Sequence, residues 1–462
     1  MVGLLATSAC GARLSAAQLA AQHAAGAVVP DHANTAPGQS GRAVGVTIAQ
    51  QSAGGRTVTG VGGDAATGPG VSAAVADTAG DGAIAAGCSA SGGATDVGVT
   101  DTSVTVGSVA TISGPIPGLF ANVPAGARAY FEYVNATRGG VCGRKLKLEV
   151  SDDRLDAGQN RASTQQLIPH AFALVGSYSV ADDGGASVLA GTNVPDVGGA
   201  LSSQRLALPN NFNPTPADPA GQHNGSTPIW RYFAQTYGVH KVAVVWAAQA
   251  QARNRALAFV RDIQDAGLEV GEQIETAVAE TNFVGVAQKI KNGADDAVIT
   301  ALDMGGITKL AESFHQIGYV PKVPYYGQQA YGPQLIDIAG DSADGTILAL
   351  GHDIAENAAS NPEMARMVEW YGRVNPGAAL DFFAIEGWVS ASMFVHALEG
   401  AGAHPTRDKV LAQLGADHAY DADGLVAPFD AAGKVPTGCF VVVTVAGGRW
   451  QRLDPANGFR CG

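Results

Sequence analysis

The sequence predicts an α/β protein of two doubly wound, Rossmann-like lobes joined by hinge crossovers, with a disordered N-terminal tether. Three observations lead there. Strand-like and helix-like patterns alternate along the body of the chain, the order that builds a parallel sheet with helices on both faces. The alternation starts afresh after residues 210–225. A length of 462 residues also exceeds one ordinary core and leaves room for two lobes plus a tail.

At the N-terminus, Val2 to Ala9 is apolar or small and ends at Cys10-Gly11. This resembles the end of a bacterial lipoprotein signal, in which the cysteine carries the lipid. A basic leading segment is missing and the apolar run is short. Thr7 stands three before the cysteine where the pattern favours Leu, although Leu4 and Leu5 lie nearby. The expectation is a partial signal at 1–10 whose true start lies upstream, with Cys10 anchoring the protein to the outer face of the cell membrane. An ordinary terminus with a chance cysteine is the alternative. Residues 11–97 are rich in Gly, Ala, Ser and Thr and carry little periodicity. Such a segment buries too little apolar surface to offset its ordering entropy, so it reads as a linker.

The body opens with a strand over Val104 to Val109, which ends in the turn Ser113-Gly114-Pro115. A helix follows, with Ala127, Tyr130, Phe131 and Val134 at helical spacing and Gly139-Gly140 as its stop. Next come a strand over Lys145 to Val150, a helix over Asn160 to Ile168, a strand over Ala173 to Val175, a helix over Gly184 to Leu189 and a strand over Val194 to Val197. Beyond the loop from Asn210 to Gly225, Lys241 to Trp246 reads as a buried strand. Ala256, Val260 and Ile263 then form the inner face of a helix closed by Gly267. Strands over Leu268 to Ile274, Ala297 to Ala301 and Val323 to Tyr326 are separated by helices around Val284 to Ile290 and Ile307 to Ile317. Helices over Phe383 to Leu398 and Arg407 to Leu414 and a strand over Phe440 to Val445 complete the series. The expected division is 98–225 plus 353–430 for lobe 1 and 226–352 plus 431–462 for lobe 2. The hinges fall near Asn224 to Thr227 and Gly351 to Ile354. Two such lobes make a cleft at the carboxyl ends of their strands, and hinge closure around a ligand is the expected motion.

Composition narrows the function. A net charge of −13 argues against nucleic acid, whose phosphates need clustered Lys and Arg. The longest basic cluster, Arg144-Lys145-Leu146-Lys147, is short and reads as a solvated edge. No apolar run is long enough to span a membrane. Besides Cys10 there are Cys88, Cys142, Cys439 and Cys461. None forms a C-x-x-C pair or has His at zinc spacing, so two disulfides are expected rather than a metal site. Four cysteines allow three pairings. Cys439 with Cys461 is preferred because it ties the tail to the preceding strand, which leaves Cys88 with Cys142.

Several segments in order carry a resemblance. They are Ile112-Ser113-Gly114-Pro115, the run Val134-Asn135-Ala136-Thr137-Arg138-Gly139-Gly140-Val141-Cys142-Gly143-Arg144-Lys145, Val150-Ser151-Asp152-Asp153 and Leu174-Val175-Gly176-Ser177. Together they resemble the successive motifs of the type I periplasmic binding protein family, in particular its branched-chain amino-acid ABC transporter members. The resemblance covers about Val104 to Gly447. It implies that the first lobe holds a ligand carboxylate through hydroxyls and backbone N–H groups at helix starts, which present unpaired donors and partial positive charge. Ser177, Tyr178 and Ser179 match one such turn. Gly199, Ala200 and Ser202 match the second, and Ser113 sits in the first. Turn serines and glycines also serve as plain caps and reversals.

The second lobe departs from the pattern. Gln329, in Gly327-Gln328-Gln329, stands where the amino-acid binders carry an acid for the ammonium. No aromatic is found near Gln251, where they place one. Asp303, in Leu302-Asp303-Met304-Gly305-Gly306, falls at a strand end that faces the cleft in the family. It either replaces the lost acid or caps the following helix. A buried ammonium without a carboxylate is costly, so either Asp303 pairs with it or the ligand has none. Phe120, Trp246, Tyr331 and Phe382 are candidate apolar walls, with lobe core or rim as the other reading.

The implied function is capture of a small polar or carboxylate-bearing solute, amino-acid-like or a related organic acid or amide. The partner is the membrane permease of an ABC importer; the protein is a monomer, with no cofactor or metal. A ligand-sensing receptor of the same fold and a two-domain enzyme are the alternatives, since a fold does not choose a function. Against an enzyme, the chain has no G-x-S-x-G elbow, H-E-x-x-H, P-loop, or G-x-G-x-x-G after the first body strand, so no catalytic residue is expected. The pairs Asp152-Asp153, Asp182-Asp183 and Asp295-Asp296 sit at loops and helix starts, where capping explains them.

Overall fold

The computed structural model describes residues 93–218 and 223–462. The signal, nearly all of the tether, Cys10 and Cys88 lie outside the described residues. The first lobe starts with β1 (Ser103–Ala110), α1 (Asn122–Thr137), β2 (Lys145–Asp152), α2 (Ala157–Leu167), β3 (Leu174–Val175), α3 (Asp183–Leu189), β4 (Asp196–Val197), α4 (Ser203–Leu206) and β5 (Asn211–Phe212). Its strands are all parallel, in the order β2-β1-β3-β4-β5. β1 is buried along nearly its whole length, as a strand covered by helices on both faces must be. β2 lies at the edge, so Leu146 turns inward while Lys145 and Lys147 stay exposed.

The second lobe continues with α5 (Thr227–Tyr237), β6 (Lys241–Ala247), α6 (Ala250–Asp265), β7 (Glu269–Thr276), α7 (Val284–Asn292), β8 (Ala297–Ala301), α8 (Met304–Gln316), β9 (Val323–Pro324), α9 (Pro333–Ala339) and β10 (Ile347–Leu350). Its parallel sheet has the order β7-β6-β8-β9. The chain then returns to the first lobe with α10 (Pro362–Val374), α11 (Phe382–Ala401) and α12 (Arg407–Ala416), of which α10 and α11 pack on α1 and α12 packs on α11. It ends in β11 (Cys439–Val445), β12 (Trp450–Asp454) and β13 (Arg460–Cys461), and β11 pairs antiparallel with β10, β12 and β13. The chain thus crosses between the lobes after β5, after β10 and after α12.

α11 is buried almost all round, and its contact with α1 is made backbone to backbone. A Cβ on Gly126 would fall 2.0 Å from the Ala384 carbonyl oxygen, and one on Gly387 would fall 1.8 Å from that of Val123. The far end of the first sheet is held by a buried ion pair. Arg205 Nε and Nη2 donate to Asp196 Oδ2 and Oδ1 at 2.9 and 2.6 Å, and Asn211 Nδ2 donates to Asp196 Oδ2 at 2.8 Å. This two-pronged geometry suits the planar guanidinium. A disulfide joins Cys439 to Cys461. Cys142 is also disulfide-bonded, and its expected partner Cys88 is outside the described residues.

The structure adds elements that the periodicity does not predict. β5, inside the loop expected from Asn210 to Gly225, and β10, β12 and β13 are too short to show an alternation. α10 does carry a pattern: Met364, Met367, Trp370 and Tyr371 form one buried face behind an Asn361-Pro362 start.

Candidate functional site

The carboxyl ends of the first sheet are tied together by side chains. Asp152 accepts from the N–H groups of Ile112, Ser113 and Arg154 at 3.0, 3.2 and 2.9 Å, and from Ser113 Oγ at 2.5 Å. Burial pushes its carboxyl up, but these four donors outweigh it and hold it down at about 2. Thr111 Oγ1 donates to Asp153 Oδ1 at 2.8 Å. Asp182 accepts from Leu201 N and Ser202 N at 2.7 and 3.0 Å, while burial keeps its carboxyl above the ordinary range. Asp152, Asp153 and Asp182 are therefore stitches between turns, which corrects their reading as helix caps. Asp182 occupies the N-cap position of α3 but makes no cap hydrogen bond with its side chain.

The serine turns are committed inward. Ser177 Oγ accepts from Val109 N at 3.1 Å, Ser179 Oγ from Ala181 N at 2.9 Å, and Ser202 Oγ from Arg205 N at 3.2 Å as the cap of α4. All three are buried. Ser113 is engaged by Asp152, as above. Phe120 and Tyr178 do come together, with ring centroids 4.6 Å apart, and Phe383 closes the cluster at 5.0 and 5.7 Å. Gly199 is the seat of this cluster, because a Cβ there would fall 2.1 Å from the Tyr178 ring. Ala200 is buried beside it.

On the second lobe, Asp303 caps α8, accepting from Gly305 N and Gly306 N at 3.1 and 3.4 Å. Gln329 Nε2 donates to the carbonyls of Thr300 and Tyr326 at 3.0 and 3.1 Å, which ties the end of β8 to the turn after β9. Gln251 lies partly buried in the first turn of α6. Trp246 donates to Glu275 on the neighbouring strand at 2.9 Å. Tyr331 sits in the core against His352 and Trp450, and its hydroxyl takes the N–H of Ala355 at 2.8 Å. Phe382 is buried against His352 and Phe383. Most of the polar atoms of these groups already have partners.

A different set converges where the three crossovers meet. A cavity of about 50 Å³ is lined there by Thr215, Tyr325, Gln328, His352, Glu386 and Phe429, among others. Glu386, on α11, is only 5% exposed. Thr215 Oγ1 hydrogen-bonds its Oε2. Burial pushes the Glu386 carboxyl up to about 7, against the pull of Thr215 and of the Arg255 guanidinium. Arg255 projects from α6 of the facing lobe, and its charge also acts on Tyr178 and Tyr325. His352 Nδ1 lies 2.7 Å from the Asp353 carbonyl oxygen. A carbonyl only accepts, so Nδ1 carries the ring proton and Nε2 is left as an acceptor. Nε2 has no partner among the described residues. Burial lowers the His352 pKa to about 4, so the ring is neutral at pH 7. Gln328 Oε1 accepts from Gly351 N at 2.8 Å.

Sequence reasoning missed Glu386, His352, Arg255 and Thr215. One signal was present: Glu386 is the sole acid between Asp381 and Glu399, in an otherwise apolar stretch. Nothing in the sequence brings residues 215, 352 and 386 to one cavity.

Residues 103–449 match the periplasmic binding protein family. The Leu/Ile/Val-binding protein homolog 3 of Brucella melitensis biotype 1 is 23% identical over 272 residues, covering 55% of this chain and 69% of that protein. A fatty acid ABC transporter substrate-binding protein from Thermomonospora curvata superposes with a TM-score of 0.67 at 19% identity, covering 79% of this chain and 94% of that one. An ABC transporter solute-binding protein of R. palustris in complex with benzoate gives 0.63 at 20% identity, covering 78% and 98%. At these identities the solved structures speak for the fold, and the ligands named with them belong to those proteins. The matched span takes in both sheets, the crossovers and the cavity where they meet, and on that ground the chain belongs to the periplasmic binding protein family.

Proposed function

We propose that this protein is the solute-binding component of an ABC importer, closing its lobes around a small polar or carboxylate-bearing solute and presenting it to a membrane permease. Family membership implies an extracytoplasmic location. No helix among the described residues is long and apolar enough to cross a membrane. In this reading the protein meets the membrane through the permease and through a lipid on Cys10.

One observation carries this reading: the cavity is lined by residues of both lobes and all three crossovers, so what fills it bears on their relative position. Arg255 supplies the cation for an anionic end of the solute, and Phe120, Tyr178 and Phe383 supply an apolar wall. The hinge runs through 98–225 plus 353–430 on one side and 226–352 plus 431–462 on the other. The test is thermal-shift screening against amino acids, aromatic acids, fatty acids, amides and sugars, because a ligand that binds only the folded state raises its melting temperature. Solution scattering with the best hit should then show a smaller radius of gyration. A hit that binds without any change in scattering would argue for a rigid body with another task.

A further inference from the structure

We infer that Glu386 and His352 form a hydrogen-bond-acceptor subsite where the crossovers meet, which selects solutes carrying an N–H or O–H donor head. This rests on the solute-binding reading and names the class of solute. Both residues line the same cavity. His352 is 2% exposed and Glu386 5%. The imidazole proton is committed to the Asp353 carbonyl, so the ring offers only the Nε2 lone pair, which has no partner among the described residues. A buried acceptor without a donor keeps the full penalty of its lost hydration. The fold does not obviously require that cost, since the ring's other contacts, with Tyr331 and Phe382, are aromatic. A phenyl ring would make them as well.

Glu386 is equally unneeded by its helix. α11 is capped by Asp381, which accepts from Ala384 N at 2.9 Å, and is held in the lobe by Trp388, Phe394 and the Gly387 contact. Among the described residues, the one side chain hydrogen-bonded to the Glu386 carboxylate is Thr215, on the first crossover. The acceptors therefore come from two places that move relative to each other when a hinge turns: Glu386 from the lobe and His352 from the second crossover.

Size sets the class of group. One water needs about 10–15 Å³, so a cavity of about 50 Å³ takes an ammonium, an amide or a hydroxyl, and the rest of the solute lies outside it. A donor head offered to these acceptors is matched, and a methyl or bare ring edge leaves them unpaired. That difference corresponds to about tenfold or more in affinity.

The test uses three matched pairs of probes: L-leucine with 4-methylpentanoate, L-phenylalanine with 3-phenylpropanoate, and 4-hydroxybenzoate with benzoate. Calorimetry at pH 8, where the Glu386 carboxyl is ionised and only accepts, on the wild type, Glu386→Gln and His352→Phe reads the affinity ratio within each pair. Among pairs that bind, the donor-bearing member should be tighter by about tenfold or more. Both variants should reduce that ratio to about two- or threefold while leaving the donor-free member nearly unchanged. Should one variant fold poorly, the other decides, together with the ¹⁵N resonance of His352 Nε2 in wild-type protein. That resonance should move on saturation with the donor-bearing probe and stay put with its partner. Equal binding within the pairs overturns the subsite alone, as does a ratio that survives in the variants or a static Nε2 resonance. If none of the six probes binds, the carboxylate-solute reading itself falls, and the subsite with it.

Discussion

Replacing Glu386 by Gln should make the ligand-free protein more stable, by an amount that grows as pH rises from about 4.5 to about 7 and is level above that. Burial raises the Glu386 carboxyl from 4.5 to about 7. Between those values the native state holds a proton that the unfolded chain has lost, so the unfolding free energy falls as pH rises through the window and is level above it. The difference corresponds to about 3 kcal/mol at pH 8. Near-complete burial means that solvent screening removes little of it. At pH 5 the effect is about 1 kcal/mol or less. Gln keeps an acceptor for Thr215 and never ionises. His352 works in the opposite direction. Its pKa falls from 6.5 to about 4, so below pH 6.5 the unfolded state takes up the extra proton and stability rises with pH. In the wild type the two slopes nearly cancel between about pH 4.5 and 6.5, and Glu386→Gln should unmask the rising one. Urea unfolding followed by tryptophan fluorescence at pH 5 and pH 8 measures this. A stability change equal at both pH values would refute the assignment of a buried, proton-holding carboxyl at residue 386.

Arg255→Ala should weaken binding of carboxylate probes by about ten- to hundredfold, the loss of a charge-assisted contact, with little change in melting temperature. Asp303→Ala should cost about 1 kcal/mol of stability through the lost cap of α8 and leave probe affinity within about twofold; a large loss of affinity would return Asp303 to the ligand. Arg205→Ala should destabilise by about 3–5 kcal/mol, because it strands Asp196 without its partner, and chemical denaturation checks it.

The βα alternation was legible because β6 carries an unbroken apolar run from Val242 to Ala247 and β1 places Val104, Val106 and Val109 among small residues, and Ala297 to Ala301 was read to the residue. The C-terminal strands were less so. β12 and β13 exist through pairing with β11, and β10 reaches β11 across about ninety residues of intervening chain, which no local pattern records. The site shows the same division. A serine at a turn is visible in the sequence, but its partner is not: Asp182 reaches the N–H of Ser202 twenty residues on. Asp303 could be read either as a cap or as a ligand group, and the structure shows it capping α8 through two adjacent glycine N–H groups. Glu386 was marked by its apolar surroundings, yet a reading built on helical spacing of apolar residues passes over the one residue that breaks it.

The close approach of α1 and α11 at Gly126 and Gly387 has a bearing on how the cleft can vary. These glycines lock two helices at a distance no side chain permits, and the same helices carry Glu386 and Phe383 and begin beside Phe120. The first-lobe wall is therefore a fixed plate whose outline is drawn by main chain, so new solutes are accommodated by exchanging what hangs from it. A methyl group at position 387 would push the two helices apart beside Glu386, so the clash that costs stability would also displace a wall of the cavity.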